Sequence, residues 1–119
     1  RRRGRGLRWR HRRRLRSLFV SLRIASMHAG ATLLTVTCGA VLSVDRLEWL
    51  ALILAIVSVW TAEALNTAFE FLCDVASPDF HPLVEKAKDV AAGAVLITAV
   101  GAAAVGALVF VPHLLQWLN

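Results

Sequence analysis

Residues 62–74 read AEALNTAFEFLCD and lie inside an otherwise apolar region. They include Glu63, Asn66, Thr67, Glu70 and Asp74, at offsets of 0, 3, 4, 7 and 11. At the helical period these side chains share one face. A single polar stripe on a membrane-length helix points away from lipid, toward protein or water. Ionisable groups at bilayer depth are costly and mark function. This stretch therefore sets both the expected fold and the candidate site.

The stripe belongs to an expected second span, residues 50–73. Its first half, LALILAIVSVW, is wholly compatible with lipid. Trp49 precedes it as an interfacial aromatic, after a short turn at residues 43–48 that carries Asp45, Arg46 and Glu48. An earlier span is expected over residues 27–44, with His28 as a polar anchor at its entrance. Beyond the stripe, residues 74–89 read DVASPDFHPLVEKAKD. Ser77-Pro78 breaks the helix there, and Pro82 is placed to begin a new helical turn. A third uncharged span is expected over residues 90–111, ended by Pro112 and followed by Trp117. Ala94, Thr98, Ala102 and Gly106, with Gly101 beside them, form a small-residue stripe suited to close helix packing.

The expected fold is an all-α integral membrane protein with three transmembrane helices preceded by an N-terminal amphipathic surface helix. The expected divisions are an arginine-rich arm and surface helix at 1–26, a three-span domain at 27–112 and a tail at 113–119. Composition agrees: the chain has 119 residues, is 57% hydrophobic and has a formal charge of +6. Its basic residues cluster at the start, and no Asp or Glu occurs in residues 1–44. The arm suits anionic head groups better than nucleic acid, because the rest is a membrane body. No signal-peptide pattern is expected. Cys38 and Cys73 fall in apolar segments, so neither a disulfide framework nor a Cys/His metal site is expected.

Arginines hold their end of a membrane protein in the cytoplasm. Three spans then place residues 74–89 on the cytoplasmic side, at the inner membrane, where ATP is available. Glu70 and Asp74, one turn apart, can share a divalent cation such as Mg²⁺ with phosphate oxygens. Glu63 lies deeper and can accept a proton from a lipid hydroxyl. Asn66 and Thr67 can orient substrate or carboxylates, and Lys88 can neutralise phosphate charge. Asp79, His81 and Asp89 add polar groups beside the same surface. Together these parts suggest phosphoryl transfer from a soluble nucleotide to a membrane-held acceptor, without a P-loop. The alternative is that the carboxylates are polar glue within a helix bundle.

The stretch EALNTAFEFLCD resembles the E-x-x-N-[ST]-x-x-E-x-x-x-D signature of the prokaryotic diacylglycerol kinase family. HPLVEKAKDVAAGAVLI resembles that family's second conserved block. DRLEWL and AKDVAAGAVL look most like its undecaprenol kinase branch. The resemblance covers about residues 28–112. It implies a three-span homotrimer with composite sites between protomers, using ATP and Mg²⁺ to phosphorylate a lipid alcohol, undecaprenol or diacylglycerol. It also implies roles: Glu63 as general base, Glu70 as metal ligand, Asn66 and Asp74 as polar site positions. Asp79, Phe80, His81, Lys88 and Asp89 match nucleotide-contacting positions. One departure stands out. The family's second metal-binding Glu falls at Leu22, and its Arg two residues before the His position falls at Ser26. A carboxylate such as Asp74 then replaces the missing ligand, or activity is weakened or lost. Loss would leave a non-catalytic scaffold or lipid-binding relative.

Overall fold

The computed structural model describes residues 25–119, and every element in that range is helical. The expectations for the arginine arm, the surface helix and Leu22 lie outside the described residues. Helix α1 runs Ala25–Val41, α2 runs Arg46–Ala76 and α3 runs Pro82–Leu118. Residues 34–119 form one compact unit, and the described residues before them belong to another.

Two of these helices are long and apolar enough to cross a membrane: α2 with 31 residues and α3 with 37. At about 1.5 Å per residue, either exceeds a hydrocarbon core of about 30 Å. Their surfaces match that setting. Ile53, Leu54, Leu65, Leu96, Ile97 and Leu108 are all exposed, and extensive exposure of large apolar side chains marks a membrane or protein contact. The buried core is correspondingly small: Val44, Leu52 and Val109, with Leu42, Trp49, Val105 and Phe110 packed against it. It sits at the α1–α2 turn end, away from the polar stripe.

That turn is built from local chemistry. Ser43 closes α1 with a left-handed φ of 52°. The Val44 N–H donates to the Gly39 carbonyl at 3.2 Å, and the Ser43 N–H donates to the Ala40 carbonyl at 3.4 Å. This is the paired bonding of a Schellman cap, with Val44 dropping into the core. Glycine usually occupies the left-handed position, because a Cβ there is strained. Ser43→Gly is therefore expected to stabilise the fold by about 1 kcal/mol, read as a higher midpoint in thermal unfolding in detergent. Helix α2 then starts with a capping box. The Glu48 N–H donates to Asp45 Oδ1, and the Asp45 N–H donates to Glu48 Oε2, both at 2.8 Å.

The close helix approach falls elsewhere than the small-residue stripe suggests. Gly93 and Gly101 have nothing within 4 Å of where a Cβ would stand. Ala94 and Gly101 are exposed, whereas Thr98, Ala102 and Gly106 are half-buried. The tight spot is Gly39. A Cβ there would lie 2.8 Å from Trp49 Cη2 and 3.0 Å from Cζ2. The indole expected as an interfacial aromatic is thus turned onto α1. Gly39→Ala must displace a large packed ring, and about 1–3 kcal/mol of destabilisation is expected. Chemical or thermal unfolding in detergent, compared with Gly101→Ala as a neutral control, checks it.

Several boundaries differ from expectation. Helix α1 ends at Val41, three residues before the expected end of the first span, because the chain turns at Ser43. Helix α2 extends past residue 73 to Ala76, and α3 already begins at Pro82. Lys86, Lys88 and Asp89 are therefore helical residues, and only residues 77–81 form the link. The His81 ring explains the early start: its Nδ1 accepts the Leu83 N–H at 3.2 Å as the N-cap, with Pro82 next. At the other end, Pro112 does not stop the helix, which continues to Leu118. Proline's fixed φ is helical and its ring removes one donor, so an apolar helix can run through it. His113 follows, with Nδ1 at 2.9 Å from the Val109 carbonyl and Nε2 at 3.4 Å from Glu48 Oε2.

Candidate active site

Helix α2 carries the polar stripe on the same side as its buried residues Leu52 and Cys73. Glu63, Asn66 and Thr67 are half-buried, while Glu70 and Asp74 are exposed nearer the link. The stripe thus grades from depth to surface along the helix. Glu63 and Asp74 are separated by about three turns, roughly 16 Å at 1.5 Å per residue. A lipid hydroxyl and a soluble nucleotide can meet along such a gradient, because one end lies in apolar surroundings and the other reaches water.

Two polar contacts organise it. The Asn66 Nδ2 donates to Glu70 Oε1 at 3.0 Å, one turn along the same helix. The Lys88 Nζ donates to Asp74 Oδ1 at 2.6 Å, bridging α2 and α3. Helices joined by a short link run antiparallel, which brings these two residues level. The structure therefore joins Asn66 with Glu70 and Asp74 with Lys88. Glu70 and Asp74 share no hydrogen-bond partner, although both carboxylates act on the Lys88 ammonium.

Asp79, Phe80 and His81 are exposed in the link. The Ser77 hydroxyl donates to the Asp79 carbonyl at 3.1 Å, which shapes the start of that segment. His81 spends its Nδ1 on the helix cap, leaving Nε2 for other contacts. Asp89 is exposed beside Lys88 on the first turns of α3. The pairing of Asp74 with Lys88 was not read from the sequence, although opposite charges flanking a short interhelical link signal it.

For a metal, the described residues contain no cluster of three or more His, Cys, Asp or Glu. They do contain one orphan acceptor: Asn66 Oδ1 is buried and has no hydrogen-bond partner. Buried polar atoms without partners are rare and call for a reason. Oxygen donors at Glu70 and Asn66 suit a hard cation that keeps phosphates or waters as its other ligands.

The described residues are all helical, with two helices long and apolar enough to cross a membrane and a graded polar stripe on one of them, and this combination points to a class, membrane proteins with a polar site. Comparison with known proteins gives the family. The model of "Prokaryotic diacylglycerol kinase" matches residues 15–110. The undecaprenol kinase of Bacillus subtilis (strain 168) is 39% identical over 87 residues, covering 73% of this chain and 71% of that protein. A diacylglycerol kinase of Synechocystis sp. is 34% identical over 99 residues, covering 82% of this chain and 57% of that protein. The diacylglycerol kinase of Escherichia coli (strain K12) is 32% identical over 83 residues, covering 70% and 68%. No solved structure matches the chain significantly. The chain belongs to the prokaryotic diacylglycerol kinase family, a family of membrane lipid kinases.

Proposed function

We propose that this chain transfers the γ-phosphate of ATP to the hydroxyl of a membrane-held lipid alcohol, giving the lipid phosphate and ADP. The observation that carries the reading is the polar stripe, half-buried at Glu63 and tied to Lys88 through Asp74 at its surface end. Undecaprenol is the favoured acceptor and diacylglycerol the second. This ranking follows the higher identity to the Bacillus subtilis undecaprenol kinase, 39% against 34% and 32% for the two diacylglycerol kinases.

Each residue then has a task. Glu63 takes the hydroxyl proton as the lipid oxygen bonds to phosphorus and the bond to ADP breaks. Its half-buried position suits an acceptor that stays in the apolar layer. Asn66 and Thr67 orient Glu70 and the substrate hydroxyl. Lys88 neutralises charge on the phosphates, and Asp79, Phe80, His81 and Asp89 line the approach of the nucleotide. When bound, Mg²⁺ supplies charge neutralisation at the phosphates; Glu70 would hold it.

Three spans, residues 27–44, 50–73 and 90–111, belong to the same proposal, in the inner membrane with the N-terminus and the site on the cytoplasmic side. So does a homotrimer, for which the exposed apolar sides of α2 and α3 offer contact surface. Lipid-dependent ATP consumption by the purified protein tests the proposal. ADP release that needs both Mg²⁺ and added lipid alcohol is expected. A second reading, a non-catalytic scaffold or lipid-binding relative, is favoured by the absence of any acidic residue in residues 1–44. It gains if ADP release stays at background with every lipid offered.

A further inference from the structure

Glu70 and Asp74 stand one helical turn apart near the end of α2, the spacing of two carboxylates that share a cation. Their hydrogen bonds go to different partners. Asp74 Oδ1 holds the Lys88 ammonium at 2.6 Å, while Glu70 Oε1 accepts the Asn66 amide at 3.0 Å. The Asp74 carboxylate is thereby already matched by a positive charge. A lysine is a point charge on a flexible four-carbon stem. The bond to Asp74 fixes that stem on the α2 side, where the Glu70 carboxylate also acts on the ammonium.

We infer that Asp74 is a positioning residue for Lys88, presenting its ammonium to the nucleotide phosphates, and is not a replacement metal ligand. The inference rests on the kinase reading above. It has a consequence for the metal. With no acidic residue in residues 1–44 and Asp74 committed to Lys88, Glu70 is the carboxylate of the α2 stripe left for the metal, Glu63 being assigned to the proton. Phosphate oxygens and water would supply the other ligands of such a cation.

The test uses the full chain in lipid nanodiscs. Binding of a fluorescent, non-hydrolysable ATP analogue is measured alongside Mn²⁺ binding by electron paramagnetic resonance. Asp74→Asn is expected to raise the nucleotide dissociation constant about ten-fold, the effect of losing one charge-assisted bond, and to leave the Mn²⁺ midpoint where it was. Lys88→Met is expected to produce the same loss, and Asp74→Asn added to it no further loss, because one interaction is lost only once. Asp74→Glu restores nucleotide binding, which also controls for a variant that fails to fold. A raised Mn²⁺ midpoint in Asp74→Asn overturns the inference, as do losses that simply add or a nucleotide affinity that does not move. Wild-type protein that binds no nucleotide would instead remove the kinase reading, and this inference with it.

Discussion

Glu63→Gln is expected to lower lipid phosphorylation by about two to four orders of magnitude, the usual contribution of a positioned general base. The substitution keeps the shape and the polarity of the side chain and removes its capacity to take a proton. Glu63 is half-buried on α2, away from the Val44, Leu52 and Val109 core. The helical fold and the unfolding midpoint are therefore expected to stay unchanged. Steady-state turnover with a saturating lipid alcohol measures the effect, and circular dichroism supplies the control. A loss confined to kcat is expected, since the base acts in the reaction and not in holding ATP. Turnover at the wild-type rate would remove Glu63 from the chemistry and leave it as polar glue between helices.

Lys88→Met carries the second large effect. Methionine keeps the unbranched stem and removes the charge, so helix packing changes little. Removing a preorganised electrostatic partner of the reacting group costs about 10²–10³ in kcat. Lys88 is also expected to contribute to ATP binding, so KM for ATP rises as well. The contrast with Glu63→Gln is diagnostic: one variant loses kcat alone, the other loses kcat and nucleotide affinity together. Lys88→Arg should recover only part of the activity, because a planar guanidinium and a compact ammonium present charge differently. If Lys88→Met binds and turns over ATP as the wild type does, the Asp74–Lys88 bridge is an exposed ion pair of little consequence.

The polar stripe was legible in the sequence because helical periodicity is a local property. Offsets of 3, 4, 7 and 11 from Glu63 survive any tertiary arrangement of α2. The Ser77-Pro78 break and the start of α3 at Pro82 were legible for the same reason, through the fixed φ and missing donor of proline. What escaped was non-local or compensated. The Gly39–Trp49 contact depends on how α1 crosses α2, and neither residue announces the other. The turn at residues 43–48 was legible, but its left-handed cap at Ser43 was not, because serine usually avoids that region. Residues 74–89 read as a loop or a short surface helix; the His81 cap settles 82–89 as the continuous start of α3. Pro112 shows the opposite error: a helix breaker in water is tolerated in a long apolar helix. The small-residue stripe of α3 was visible; its Thr98, Ala102 and Gly106 are half-buried, while Gly101 beside it keeps open space within the chain.

The central claim is that this chain phosphorylates a lipid alcohol, and transfer of labelled phosphate tests it most directly. Purified protein in bilayers is given γ-labelled ATP and Mg²⁺, with undecaprenol and diacylglycerol offered in parallel. Labelled lipid phosphate is predicted, with more from undecaprenol than from diacylglycerol and none without Mg²⁺. No labelled lipid from either acceptor, with folded protein and an active control kinase in the same bilayers, would contradict the claim and leave a non-catalytic member of the family.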